Sequence, residues 1–450
     1  MTPRFGTDGV RAPADELTDG FVAALGRAAA EVLGGEDGFL IGRDTRLSGP
    51  RLERALAGGM AASGAVPQSL GVVPTPAVAW VSAARGVPGA VISASHNPWS
   101  DNGIKFFAAG GRKLADDVEL ELESVLDELL SGGIPTAPLE VVPLAPPPRG
   151  DAWLDAVVAS VEGRRLEGLR VVIDCANGAS AAFAAGALRQ LGAEVDVLHA
   201  EPDGRNINNR SGSTHPEDLQ RAVVGSGAMV GLAFDGDADR VLAVDETGRL
   251  IDGDHLIALF AIDLRERERL HRNQVVVTVM TNLGFRMAMA EHGIDVVETG
   301  VGDRQVLAAL EQTSGSLGGE QSGHIVFADL ATTGDGLLSG VQLLDLLVRS
   351  GAPLSQLAAG AMTQLPQVLV NVRVAERRDD IAEVMAAEIA AEETALGGRG
   401  RVLVRPSGTE PLVRVMVEAE LQETADAVAH RLADVARLHC GESPVGPPQP

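Results

Sequence analysis

Apolar positions along this chain alternate between short continuous runs and helical stripes, the pattern of strands buried on both faces and covered by amphipathic helices. Leu17, Phe21, Leu25, Ala28 and Val32 recur at helical spacing, and Gly34-Gly35 stops them. Phe39-Leu40-Ile41 predicts a strand with Gly42-Arg43-Asp44-Thr45-Arg46 at its C-terminal end, where α/β sheets place ligand-handling groups. A helix over about 50–63 follows, then strands near 69–73, 89–94 and 103–107. Leu120, Leu122, Val125, Leu126, Leu129 and Leu130 give the next helix its apolar stripe.

The prolines from Gly132-Gly133 to Pro146-Pro147-Pro148 forbid a packed helix and predict a semi-rigid linker. A second unit opens with a helix at about 151–161. Its strand Arg170–Asp174 runs into the turn Cys175-Ala176-Asn177-Gly178-Ala179, and strands near 228–233 and 241–245 close it. A third unit carries strands at Val275–Val279, Asp295–Thr299 and Gly323–Phe327, with helices over about 303–312 and 334–349. Beyond Pro366, a strand at 367–374, a helix at 380–395, strands at 401–404 and 412–418 and a helix at 423–438 read as α+β, with a frayed tail from Pro444. The expected domains are 1–148, 149–250, 251–365 and 366–440, three of them similar in make-up.

Composition narrows the function. The chain has 450 residues, 45% of them hydrophobic, so several cores are within reach and disorder is excluded for most of its length. A net charge of −25 makes nucleic acid and anionic membranes poor partners. A phosphate ligand would need local arginines or a bound cation. Cys175 and Cys440 form no disulfide framework and read as a buried small hydrophobe and a tail thiol. The opening Met1-Thr2-Pro3-Arg4-Phe5-Gly6 lacks an apolar leader and no run approaches a membrane span, which predicts a cytoplasmic protein. Lysine occurs only at Lys105 and Lys113.

Five segments carry candidate chemistry. Ala90-Val91-Ile92-Ser93-Ala94-Ser95-His96-Asn97-Pro98 reads as a strand that delivers Ser95 and His96 to a loop tip, where a hydroxyl can meet solvent, metal or substrate. In Asp235-Gly236-Asp237-Ala238-Asp239-Arg240 the carboxylates at i, i+2 and i+4 point one way if the backbone is extended. Such a trio repels itself unless a cation neutralises it, and hard oxygen ligands suit Mg²⁺; the plainer alternative is a solvated acidic turn. Arg405-Pro406-Ser407-Gly408-Thr409-Glu410-Pro411, with Arg414 beyond it, offers backbone N–H groups, hydroxyls and guanidinium forks to an anion, or is only a hairpin with two rim arginines. Gly318-Gly319-Glu320-Gln321-Ser322-Gly323-His324 can grip vicinal sugar hydroxyls, and Gly300-Val301-Gly302-Asp303-Arg304 is a smaller loop of the same character. For His324 alone a structural role is the simpler reading.

Taken in order, Phe5-Gly6-Thr7-Asp8-Gly9, Ser93–Pro98, Asp235–Arg240, Gly319–His324 and Arg405–Pro411 resemble the motifs of the α-D-phosphohexomutases, over about residues 4–440. Gln321 and the Phe-Gly-Thr-Asp-Gly opening are similar to the branch that acts on glucosamine phosphates. The resemblance implies three mixed α/β domains plus a C-terminal α+β domain around a central active-site cleft. It implies interconversion of glucosamine 6-phosphate and glucosamine 1-phosphate through a phosphoserine and a bisphosphate, feeding UDP-N-acetylglucosamine. The alternative is a phosphomannomutase or phosphoglucomutase with the same mechanism. Ser95 would be the phosphorylated residue and would hold Mg²⁺ with Asp235, Asp237 and Asp239. His96, Lys105, Arg11 and Arg240 would surround the reacting oxygen, with the identity of the proton carrier open. Glu320, Gln321, Ser322, His324, Gly302 and Asp303 would read the sugar, and Arg405, Ser407, Gly408, Thr409 and Arg414 the phosphate that is not reacting. The partner implied is a small-molecule sugar phosphate, with a homodimer left open. The chain departs from the family at Ala12, where glycine is usual, at Trp99, where a smaller aromatic is common, and at Asp303, where the mannose/glucose branch tends to carry histidine.

Overall fold

The computed structural model describes residues 5–6, 9–132, 152–374, 378–406 and 412–441; the predicted linker beyond Gly132 and the tail from Pro444 lie outside them. The chain forms two compact units. One runs to Met280 and includes Gly293–Ala361, and the other combines Thr281–His292 with the chain from Met362 onward.

The first unit holds three sheets. Strands β1 (Phe5–Gly6), β2 (Gly9–Pro13), β3 (Phe39–Arg43), β4 (Pro67–Val72), β5 (Gly89–Ile92), β6 (Asp101–Ala108) and β7 (Arg112–Lys113) form the first, in the order β1-β2-β6-β5-β3-β4 with β7 on β6. β3 runs parallel to both β4 and β5, whereas β6 is antiparallel to its neighbours. Strands β8 (Arg170–Asp174), β9 (Glu194–Leu198), β10 (Val230–Phe234), β11 (Val241–Asp245) and β12 (Leu250–Ile251) form the second, ordered β12-β11-β10-β8-β9. Strands β13 (Gln274–Thr278), β14 (Asp295–Thr299), β15 (Leu317–Gly319) and β16 (Ile325–Phe327) form the third, ordered β14-β13-β15-β16. The second unit carries an all-antiparallel sheet of β17 (Gln367–Arg373), β18 (Gly400–Pro406) and β19 (Leu412–Ala419), with β19 central. The expected fold class, three mixed α/β sheets followed by an α+β portion, is what the chain adopts.

β5 and β10 are buried throughout and β8 nearly so, which is why their sequences read as unbroken apolar runs. Phe39, Ile41, Ile92 and Ile104 of the first sheet share one core with Phe21 and Leu25 of the helix that covers it. Helix Asp19–Leu33, capped by the Thr18 hydroxyl on Phe21 N–H, crosses helix Gly49–Ala62 at Gly26 and Gly59. A Cβ at either glycine would run into the facing helix's backbone, so this close crossing requires both.

Three local readings change. Gly318 and Gly319, expected to open a glycine-rich loop, belong to the strand Leu317–Gly319, which pairs with β13 and β16. Glycine has little strand preference of its own, and pairing on both sides decides the matter. The single helix expected over 380–395 divides into Ile381–Val384 and Ala386–Leu396 around the buried Met385. Cys440 is not a tail thiol but is buried at the end of helix Gln422–Cys440. Cys175 is buried as expected, and burial pushes its thiol up to about 12. Among the described residues no helix is long and apolar enough to cross a membrane.

Candidate active site

β5 leaves its sheet at Ile92, and the chain turns through Ser93 to Ser95, which adopts φ +51°, a region few residues other than glycine enter. Of solvent, metal and substrate, the three things the loop-tip reading allowed the hydroxyl to meet, burial removes the first: Ser95 is only 2% exposed. Its Oγ donates to Asp235 Oδ2 at 2.6 Å, a carboxylate in the turn after a strand of the second sheet. His96 is half-buried, with Nδ1 3.4 Å from Ser95 Oγ and 3.5 Å from Arg240 Nη1. Burial, then the charges of Arg240 and Arg11, lower its pKa to about 4. Arg11 itself is exposed on β2. Trp99, at the loop's far end, lies beneath the Arg205 guanidinium, 5.5 Å from the ring centre.

The aspartates do not lie on an extended strand. β10 ends at Phe234, and Asp235 to Asp239 form a turn with Ala238 at φ +55°. The turn draws all three carboxylates together, with an oxygen of each within 4.8 Å of the others. Gly236 allows this, since a Cβ there would sit 2.5 Å from Ser95 O. Thr75, at the start of helix Thr75–Arg85, donates its hydroxyl to Asp237 Oδ2 at 2.7 Å and its N–H to Asp237 O at 2.9 Å. Nothing in the sequence reading pointed to Thr75; its place between Pro74 and Pro76, just after a strand, was the available signal.

Charge in this turn is unevenly settled. Burial, then repulsion from Asp239 and Asp237, raises the pKa of Asp235 well above the carboxylate range. Burial and Asp239 also act to raise Asp237, but the Lys105 ammonium and the Thr75 hydroxyl outweigh them and hold it low. Asp239 is held well below its ordinary value against burial by Lys105, His324 and Arg240. Lys105 Nζ lies 3.0 Å from Asp237 Oδ2 and 3.4 Å from Asp239 Oδ2; burial works against its charge, and the two carboxylates keep it protonated. Asp237 Oδ1 and Asp239 Oδ1 are buried with no hydrogen-bond partner among the described residues. Three converging carboxylates with oxygens free of hydrogen-bond partners among the described residues form an acidic group that could hold a hard divalent cation.

The third sheet contributes the other predicted group. His324 is 1% exposed, with Nδ1 3.8 Å from Asp239 Oδ1 and Nε2 3.6 Å from Asp303 Oδ2. Burial acts to lower its pKa, but Asp239 and Asp303 raise it overall. Asp303 in turn pairs with Lys113, so both lysines of the chain end on carboxylates at this site. Glu320 Oε1 accepts from Gly302 N–H at 3.1 Å, and Gln321 Nε2 donates to Asp252 at 3.4 Å, while Ser322 is exposed.

In the second unit Arg405 and Arg414 are direct cross-strand neighbours on β18 and β19. Burial and the facing Arg414 lower the pKa of Arg405. Arg414 Nε is buried with no hydrogen-bond partner among the described residues. Ser407, Gly408 and Thr409 lie outside those residues.

Models of the phosphoglucomutase/phosphomannomutase family match in chain order: α/β/α domain I over residues 2–131, domain II over 151–248, domain III over 252–365 and the C-terminal domain over 369–435. A phosphoglucosamine mutase of Moorella thermoacetica is 49% identical over 447 residues, covering 97% of this chain and 99% of its own length. One of Thermobifida fusca is 50% identical over 452 residues, covering 97% and 98%. The chain belongs to the phosphoglucomutase/phosphomannomutase family, in its phosphoglucosamine mutase branch. Among solved structures, a phosphoglucomutase/phosphomannomutase family protein of Burkholderia thailandensis superposes with a TM-score of 0.78 at 25% identity, covering 96% of this chain and 97% of its own. An Aspergillus fumigatus N-acetylphosphoglucosamine mutase in complex with GlcNAc-6P and magnesium shares the fold, with a TM-score of 0.68 at 20% identity over 97% and 96% of the two chains.

Proposed function

We propose that this phosphoglucosamine mutase family member interconverts glucosamine 6-phosphate and glucosamine 1-phosphate in the cytoplasm, with Ser95 as its phosphorylated residue. The observation that carries the reading is the 2.6 Å bond from Ser95 Oγ to a carboxylate of the three-aspartate turn. That contact spans 140 residues of sequence and two sheets. Work is divided among 1–148 with the serine, 149–250 with the aspartates, 251–365 for the sugar and 366–440 for the distal phosphate.

In the forward step the bond from the phosphorus to Ser95 Oγ breaks and one to the sugar hydroxyl forms, while that hydroxyl's proton passes to a neighbouring base. Return of the other phosphate of the bisphosphate to Ser95 completes the turnover. Asp235, Asp237, Asp239 and the Ser95 phosphate would hold magnesium, which would supply charge compensation for the transferring group. His96, 3.4 Å from Ser95 Oγ, stands where the proton must move. Lys105, tied to two aspartates, stays charged and steadies the phosphoryl oxygens. Glu320, Gln321, Ser322, His324, Gly302 and Asp303 read the sugar, and Arg405, Ser407, Gly408, Thr409 and Arg414 hold the phosphate at its far end.

Intact-mass measurement is expected to find one phosphate, on Ser95, and Ser95→Ala is expected to lose mutase activity while keeping its fold. Wild-type turnover by Ser95→Ala would remove the phosphoserine from the mechanism. Parallel assays on glucosamine, mannose and glucose phosphates decide the branch; higher kcat/KM on either neutral sugar would overturn the glucosamine assignment.

A further inference from the structure

Arg46 is a fully buried guanidinium, and all five of its N–H groups are engaged. Nε donates to Asp44 Oδ2 at 2.8 Å. The other four donate to backbone carbonyls of the segment that begins with the reactive serine: Ser95 and Asn97, each at 2.9 Å, Asp101 at 3.0 Å, and Pro98. A buried arginine beside a single carboxylate is ordinary ion pairing. One whose four remaining donors converge on a seven-residue loop fixes that loop's path.

Two further contacts act on the same atoms. Asn208, from the second sheet's domain, donates Nδ2 to Ser95 O at 2.8 Å and to Asn97 O at 3.0 Å, two of the carbonyls Arg46 holds. On the other side of the peptide, Ser95 N–H donates to Ser93 Oγ at 2.9 Å, and Ser93 Oγ donates to Asp44 Oδ2 at 2.6 Å, the oxygen already bound to Arg46. Both ends of the Ser95 residue are thus tied into one buried network. That network opposes the relaxation expected of a serine at φ +51°.

The geometry points to Arg46 and Asn208 as positioning residues for phosphoryl transfer, holding Ser95 in its left-handed conformation so that Oγ faces the aspartate turn. The inference rests on the reading of Ser95 as the phosphorylated residue. Neither side chain touches the reacting atoms; both act through the Ser95 and Asn97 carbonyls. Lysine cannot replace Arg46, because three donors on a flexible stem cannot reach four carbonyls and Asp44.

Arg46→Ala would strand the buried Asp44 and risks failing to fold, so the decisive variants are Arg46→Lys and Asn208→Gly. Glycine keeps the φ of +56° that Asn208 adopts while removing its amide. With each variant purified folded and phosphorylated, kcat is expected to fall about 10- to 100-fold while KM stays within about threefold, the signature of a misplaced reacting group. The ³¹P resonance of the Ser95 phosphate is expected to broaden or shift in both, which a purely structural role would not produce. Ser95→Ala belongs in the same series. Activity in Ser95→Ala would sink the phosphoserine reading itself, and this inference with it. With Ser95→Ala inactive, unchanged kcat and an unchanged ³¹P resonance in folded Arg46→Lys and Asn208→Gly would overturn this inference alone.

Discussion

The aspartate turn at 235–239 and the arginine pair at 405 and 414 are opposite solutions to one electrostatic problem. Each gathers like charges that repel: three carboxylates within 4.8 Å in one case, two guanidiniums directly across a strand pair in the other. The acids are partly compensated from within by Lys105 and Thr75, yet two of their buried oxygens have no hydrogen-bond partner among the described residues. No described group compensates the arginines, and Arg414 Nε is left unbonded. Among the described residues each cluster leaves buried polar atoms unpaired, and like charges placed face to face cost stability in both.

The largest test acts on the acids. Asp239→Asn is expected to lower kcat/KM by about 10²- to 10³-fold, the scale of removing one preorganised electrostatic contact. In metal-free buffer, Asp235→Asn is expected to raise Tm while ending activity, because an amide makes permanent the neutral form that burial and the two neighbouring carboxylates favour. A fall in Tm would mean that the trio is self-sufficient without a cation.

A buried carboxylate outside the trio sharpens the contrast. Asp335 caps helix Gly336–Ser350 and accepts from Trp153 Nε1 at 2.7 Å, yet burial lifts its pKa to about 6 from 3.8. A raised pKa means the folded chain holds the proton more tightly than the unfolded chain does. Its contribution to stability is therefore complete below pH 3.8 and is lost as pH climbs through about 6. Asp335→Asn, which keeps the cap, is expected to remove up to about 3 kcal/mol of that decline. Denaturant titrations of both proteins at pH 4 and 7 measure it, and parallel pH profiles would refute it.

On the basic side, Arg414→Ala is expected to weaken sugar-phosphate binding by about 1.5–3 kcal/mol, the range of a charge-assisted bond, with kcat changing less. An unchanged KM would count against a phosphate clamp. Arg431, exposed and paired with Glu392 at 2.8 Å, is the control: Arg431→Ala is expected to cost about 0.2–1 kcal/mol of stability and no activity.

Much of the site was legible one segment at a time. A continuous apolar run followed by Ser95-His96-Asn97-Pro98 announces a buried strand and its turn, because burial on both faces leaves no room for alternation. Carboxylates two apart pointed to a convergent acidic cluster for a similarly local reason, even though the backbone proved to be a turn and not a strand. Thr75, Asn208 and the role of Arg46 were not legible. Each acts on a group that only the fold brings near: Thr75 on a carboxylate 162 residues away, Asn208 on carbonyls 113 and 111 residues away. The burial of Ser95 escaped notice likewise, since what covers it belongs to another sheet.

Strand and helix placement, the acidic balance and the chemistry each loop could offer follow from neighbours in the chain, where hydrophobic period and turn residues act over a few positions. Which oxygen receives the Ser95 hydroxyl, which carboxylate carries charge and which donors fix the loop depend on desolvation and on partners drawn from distant strands. Those energies do not exist until the sheets have packed and water has left.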